Sequence, residues 1–555
     1  MISTIFLFFN GIIITVNENF SIYNAFAILN EKILYVGSEK QIRNLIDKNY
    51  KNLKVKRIDL KGKTVVPGFI DSHMHPIISV YFKTQLQLTD VKSFSELNNA
   101  FKREISSKSE DFWILGLDFL EERFTDPTER QFPRRNDLDE ISTTHPIIVL
   151  RHDGHSCCTN SRGLEILNIN KNSVSEFVLE SGRIETDDNG EPTGVFTENA
   201  TSILLDQVPT PNFENFIEAG IAFSHEMASL GITSIGAVIQ TSEEGPSGSL
   251  GSLEFPIIQI LIKESALFQD YVLYLITDKP KKLLRYTKTM EKLDKDTNQF
   301  VVGGIKRFLD GVIGARTAYL SEPFSDGPPK NYGFLVSNKN ALLDQFTLAY
   351  KMGYDLICHA IGDKAIQELV KMYKSIKENV KYSEKLPIMR IEHASILTES
   401  LLREIKENNI FIASQPAFIE SEHFWLKSRL GEDRCNLTYP FKSIFDSGIM
   451  LAGASDAPVE NPDVLNAIGV AIHRFGFVPE EKLSVEEALR MFTINAATAL
   501  GQELNKGSIE IGKYADFVIL DENILKIAPK DIKKIKVLET YRRGKKIYPI
   551  NTTGA

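Results

Sequence analysis

The chain reads as an α/β protein: a (β/α)8 TIM barrel, with a small β-sandwich domain built from both termini and a subdomain inserted after the first barrel strand. Three observations predict this. Between residues 64 and 507, eight short runs rich in Val, Ile, Leu and aromatic residues alternate with helix-like segments. Strands alternating with helices form a parallel sheet, and eight such units close into a barrel. Both ends of the chain read instead as strands and turns. The stretch from about residue 84 to 225 is too long for a single βα connection. The competing arrangement of the same rhythm is an open doubly wound sheet.

Residues 5–9 are apolar but lack a basic leader and are too short to span a bilayer, so they read as a first buried strand. Asn10-Gly11 is a hairpin turn signal, followed by strands at 12–16, 25–29 and 33–37. These strands would leave open edges. The strand-like segments at 515–520, 536–541 and 542–548 can cover them. Residues 1–63 and 508–550 are therefore expected to form one β-sandwich, with the barrel at 64–507 inserted into it. Its candidate strands are 64–70, 232–237, 271–276, 302–309, 354–358, 388–391, 410–413 and 450–454. The insert at 84–225 is expected over the barrel mouth.

Composition narrows the function classes. The net charge of -9 and the absence of a basic stripe argue against a nucleic-acid partner. Lys533, Lys534 and Lys536 read as a solvated face. Cys157, Cys158, Cys358 and Cys435 show neither CxxC spacing nor a disulfide framework, which suits a reducing cytoplasm. No stretch approaches ~18 uninterrupted apolar residues, so no membrane span is expected. A homodimer is a common outcome for such a chain.

Chemistry concentrates at predicted strand ends, where barrel active sites form. His73-Met74-His75 closes the first strand. Residues two apart on a strand face the same side, so both imidazoles address one point, as a zinc-type metal site needs. Lys306 lies on strand four, His359 ends strand five, His393 ends strand six and Asp456 ends strand eight. His145, His225, His423 and His473 fall on loops or helices and read as non-ligands.

This set resembles the metal-dependent amidohydrolase superfamily over nearly the whole chain. Finer motifs resemble its YtcJ-type branch, which includes N-substituted formamide deformylases. They are Pro67-Gly68-Phe69-Ile70-Asp71-Ser72-His73-Met74-His75, His152-Asp153-Gly154-His155-Ser156, Lys306 with Asp310-Gly311, Arg316-Thr317-Ala318, His359-Ala360-Ile361-Gly362-Asp363 and Ser455-Asp456-Ala457-Pro458. The resemblance implies one or two divalent ions, with Zn2+ suited to the ligands and manganese, iron or cobalt able to take similar sites. His73 and His75 would hold one ion, and His359 and His393 the other. Lys306 would bridge them as a CO2-derived carbamate. An unmodified lysine would be a cation facing cations, and burial favours the neutral amine that CO2 requires. The competing role for Lys306 is an ion pair with Asp310.

The implied reaction is hydrolysis of a C–N bond in a small, non-peptide amide or N-substituted formamide. Metal-activated hydroxide would attack, with Asp456 as general base and then acid. His155 and His152, in the insert, read as lid residues reaching the substrate, or alternatively as surface histidines of an Asp153-Gly154 turn. Glu198 and Arg316 are substrate-binding candidates or ordinary ion-pair residues, and the planar fork of Arg316 suits a carboxylate. The branch often carries a bulky aromatic shortly after this His-Ser pair. Cys157 and Cys158 stand here instead, so the pocket shape departs from the branch. The same water chemistry would serve an ester, lactone or phosphoester. A non-catalytic scaffold is the reading from another class.

Overall fold

The structure is a computed structural model that describes residues 4–151, 156–177, 182–198, 200–243, 247–295, 297–381 and 386–549. It divides into two units, Met1–Ile77 together with Ile221–Ala555, and Ile78–Gly220.

In the first unit, eight parallel strands stand side by side in chain order: Phe69–Met74, Ile232–Gln240, Asp270–Ile276, Phe300–Phe308, Asp355–Ala360, Met389–His393, Phe411–Ser414 and Leu451–Gly453. The order never reverses, as it would in a doubly wound sheet. The seam between the first and eighth strands is tied by discrete hydrogen bonds. Ser72 Oγ donates to the Gly453 carbonyl at 2.9 Å, and Asp456 N to the His73 carbonyl at 2.9 Å. Ser455 N donates to the Asp71 carboxylate at 3.2 Å. Inside, Ile70, Val272, Tyr274, Ile357, Ala413 and Ala452 pack with Ala496, Ala497, Ala499 and Leu500 of the segment around helix Ile494–Ala499. Small alanines let that helix approach the barrel interior closely.

The first candidate barrel strand, 64–70, is corrected. Thr64–Pro67 belongs to the terminal sheet, and the barrel strand begins at Phe69. Gly68 is the crossing point. Its N–H donates to the Asp516 carbonyl at 2.9 Å, and a Cβ there would lie 2.4 Å from Thr233 Oγ1.

The two chain ends form one mixed sheet rather than two separate ones. Its order is Lys545–Tyr548, Val537–Arg542, Phe517–Leu520, Thr64–Pro67, Thr4–Ile14, Ile22–Leu29 and Lys32–Gly37. Lys54–Asp59 pairs parallel to the first half of Thr4–Ile14, and Thr64–Pro67 parallel to its second half. The hairpin expected at Asn10-Gly11 is therefore a bulge. The strand runs through, with a register shift between Phe9 and Ile13 and Asn10 at φ 57°. An extra residue bends a strand without reversing it. Stacked Phe8–Phe26 and Phe517–Tyr541 pairs, 4.8 and 4.4 Å between centroids, form the shared core. Residues 39–49, within the region read as strands and turns, form a helix, Glu39–Asn49. Ser38 and Gln41 close its capping box, and it buries Ile42 and Ile46.

The second unit holds a six-stranded sheet ordered Gly182–Thr186, Pro192–Glu198, Ser156–Thr159, Ile147–Arg151, Ile114–Phe119 and Leu86–Gln87. Cys157 and Cys158 alternate into separate apolar cores, one with Trp113 and Phe196, the other with Phe101 and Phe119. Both are thus packing residues. Among the described residues no helix is long and apolar enough to cross a membrane.

Candidate metal centre

The six residues expected at strand ends meet at one end of the barrel. His73 Nε2 and His75 Nε2 lie 3.2 and 3.3 Å from Asp456 Oδ1. These three residues each place one ligand atom within 4.8 Å of the others. The His393 ring lies 5.5 Å from that of His73 and 4.5 Å from that of His359. Lys306 is fully buried, with Nζ 4.9 Å from the centre of the Phe308 ring. It does not pair with Asp310. Both Asp310 oxygens instead accept backbone N–H groups, from Ile361 at 3.0 Å and from Gly362 and Tyr319 at 2.9 Å.

Backbone geometry aims these side chains. His393 and Ala394 adopt φ of 71° and 48°, and Asp456 adopts 61°. Such values are uncommon outside glycine and cluster at functional sites. On a regular strand His393 would face away from Glu392; the left-handed turn frees it to join the cluster.

Each of three histidines is held by a second partner through the nitrogen facing away from the cluster. His73 Nδ1 donates to Glu392. His393 Nδ1 donates to Gln415 Oε1 at 3.0 Å, and His359 Nε2 to the Gly311 carbonyl at 3.1 Å. These bonds fix the tautomer and leave the other ring nitrogen as a lone-pair donor. Glu392 is itself held by Arg390 Nε at 2.5 Å. Arg390 is fully buried and donates further to the Ala499 and Ser72 carbonyls at 2.9 and 3.2 Å. Sequence reasoning missed Arg390, Glu392 and Gln415. The signal was present: two opposite charges spaced i, i+2 within an apolar strand, and a polar residue just past the end of strand seven.

The electrostatics suit a cation. Burial lowers His75 and His359 below the ordinary imidazole value and brings His393 to about 4, so these rings are neutral ligands near pH 7. Burial and Lys306 also push His73 down, but Glu392 and Asp456 outweigh them and favour positive charge at that point. Burial pushes Asp456 up, yet His73 and His75 overcome it and keep the carboxylate ionised. Burial lowers Lys306. Buried atoms here that make no hydrogen bond include His73 Nε2, Asp456 Oδ1, Lys306 Nζ and Gln415 Nε2. Buried polar atoms are rarely left so. A donor set of neutral imidazoles and a carboxylate with orphaned atoms fits a divalent metal ion.

Of the other expected site residues, Arg316 alone has a described side chain. His152 and His155 lie outside the described residues, as does the Glu198 side chain, whose backbone closes strand Pro192–Glu198. Arg316 follows barrel strand four, and its fork is engaged by Asp326 at 2.9 and 3.0 Å. That is the ordinary ion-pair alternative.

A parallel barrel with histidines and an aspartate converging at its strand ends defines a metal-dependent hydrolase. The chain belongs to the amidohydrolase family, whose model matches residues 56–548. It is 30% identical to Protein LONG AFTER FAR-RED 3 of Arabidopsis thaliana, over 97% of this chain and 91% of that one. It is 27% identical to YtcJ of Bacillus subtilis (strain 168), over 91% and 92%. It is 25% identical to the N-substituted formamide deformylase of Arthrobacter pascens, over 96% of each. A solved uncharacterized metal-dependent hydrolase from Pyrococcus furiosus superposes with a TM-score of 0.72 at 28% identity, covering 94% of this chain and all of that one.

Proposed function

We propose that this protein hydrolyses a C–N bond of a small non-peptide amide, of the N-substituted formamide type, at a centre of one or two divalent ions, with Zn2+ the best match to the ligands. The observation that carries this reading is the cluster of His73, His75 and Asp456, with the His393 and His359 rings beside it and the buried His73 Nε2, Asp456 Oδ1 and Lys306 Nζ left without hydrogen bonds. The likeness to an N-substituted formamide deformylase along both whole chains supports the amide class.

His73, His75 and Asp456 would hold one ion, and His359 and His393 the second. When bound, such ions acidify water and polarise a carbonyl. Asp456 takes a proton from the attacking water and passes it to the leaving nitrogen as the C–N bond breaks, giving an acid and an amine. Glu392 and Gln415 keep the imidazoles in the tautomer that presents a lone pair. Burial lowers Lys306, which has no hydrogen-bond partner, and so favours the neutral amine that CO2 would need to form a carbamate there.

The test is metal analysis of the isolated protein, followed by chelation and reconstitution assays on matched formamides, amides and esters. Mass spectrometry with CO2 supplied reads the Lys306 adduct. Asp456→Asn is expected to lower kcat/KM about 10²–10⁴-fold while the fold persists. Turnover that survives complete metal removal would sink the reading.

A further inference from the structure

A cavity of about 430 Å3 opens at the barrel mouth beside the metal centre, sharing His359 with it. Its apolar walls are Ile276, Phe308 and Val336, and Arg307 is its cation. The Arg307 guanidinium makes no ion pair among the described residues, and its buried Nε makes no hydrogen bond. Arg316 faces Asp326, Arg390 faces Glu392 and Arg542 faces Asp270. Arg474, which has no ion pair among the described residues either, is held by the Phe477 and Tyr439 carbonyls at 3.0 Å, whereas the Arg307 side chain has no hydrogen bond of that kind. The acids of the cavity do not serve Arg307. Asp310 spends both oxygens on backbone N–H groups, and Asp278 sits exposed at the rim. Arg307 is half-buried, and its enclosed Nε has given up water without gaining a partner, which a ligand in the cavity would supply. Its rigid fork of donors matches a carboxylate.

We propose that Arg307 is the specificity residue of this cavity, anchoring an anionic group, so that the substrates are amides whose other end carries a carboxylate. The inference rests on the amide reading above and narrows it. The side chain neighbours the reacting centre through His359 and takes no part in the proton transfers assigned to Asp456. It binds the remote end of the substrate.

The test separates binding from turnover. Calorimetry on metal-loaded protein compares 4-oxopentanoate, a ketone isostere of N-acetylglycine that cannot be hydrolysed, with its neutral amide. The carboxylate is expected to bind about 10–100-fold tighter, the worth of a hydrogen bond to a charged group. Arg307→Met is expected to abolish that preference and leave the neutral ligand unaffected, while Arg307→Lys retains part of it. Kinetics with N-acetylglycine and N-acetylglycinamide should show the same preference in KM. Equal binding of the two isosteres by the wild type, or a preference that survives in a folded Arg307→Met protein, overturns the assignment. A carboxylate preference without turnover of any amide would uphold Arg307 and defeat the amide reading instead.

Discussion

The two ends of the barrel each bury a cluster of charged side chains, and they treat those charges in opposite ways. At the base, Asp270 receives Lys506, Arg542 and Arg543, and Lys506 Nζ also lies 3.1 Å from Asp516. Lys506 Nζ donates to Ser234 Oγ at 2.9 Å, and Arg543 N to Asp516 Oδ1 at 2.6 Å. Every charge there faces an opposite one, and the cluster joins the terminal sheet to the third barrel strand. At the mouth, Lys306 Nζ, His73 Nε2 and Asp456 Oδ1 are equally buried and make no hydrogen bond; at the base only Asp516 Oδ2 is left so, and Lys306 has no ion-pair partner among the described residues. The base pairs each cation with a carboxylate, whereas the mouth gathers several ligand-type atoms around one carboxylate and leaves the Lys306 amine without a partner.

Asp270→Asn breaks the base most directly. It leaves Lys506, Arg542 and Arg543 together with one carboxylate, and breaking a buried pair costs about 3–5 kcal/mol. Urea denaturation should show the loss, while metal content per folded molecule stays at the wild-type value. Unchanged stability would show that the base cluster is not a structural tie.

Gln415→Met is the matching change at the mouth. Gln415 is fully buried, its Oε1 holds His393, and its Nε2 has no partner. Removing it frees the His393 ring, so metal affinity should fall about 10–100-fold. Stability should move by less than about 1 kcal/mol, because an orphaned donor goes with the acceptor. Chelator competition reads the first quantity and urea the second. A large loss of stability with unchanged affinity would place Gln415 with the structural charges.

The mouth was the more legible end, for a physical reason. Strand ends are local: a short apolar run followed by His359 or Asp456 announces both the strand and the ligand. Seven of the eight barrel strands were readable on the same terms, and the first was placed too early, at Thr64 rather than Phe69. The base was not, because residues 270, 506, 516, 542 and 543 are brought together only by tertiary structure. Asn10-Gly11 misled because a bulge and a hairpin ask for the same left-handed backbone. Gly68 was invisible as a crossing point because the apolar run continues through it from one sheet into the other. Arg390 and Glu392 carried a readable i, i+2 pattern, but that His73 was their target depends on barrel closure.

Glu254 sharpens the contrast through its response to pH. It lies beside the mouth end of strand Ile232–Gln240, buried, and accepts from the Gln240 N–H at 2.7 Å and from Ser247 Oγ. These partners are uncharged, unlike the cations around Asp270. Burial therefore prevails over both hydrogen bonds and raises its carboxyl from 4.5 to about 7. Between those values the folded protein binds more protons than the unfolded chain, so stability falls as pH rises through the window. The fall should be on the order of 3 kcal/mol. Glu254→Gln keeps an acceptor without a charge to bury, so it should flatten this part of the pH profile and gain most above about pH 7. Urea midpoints measured at both edges of the window in the two proteins decide it. A wild-type slope retained by Glu254→Gln would mean that the proton resides on another group, and that burial without a cation does not by itself distinguish the mouth from the base.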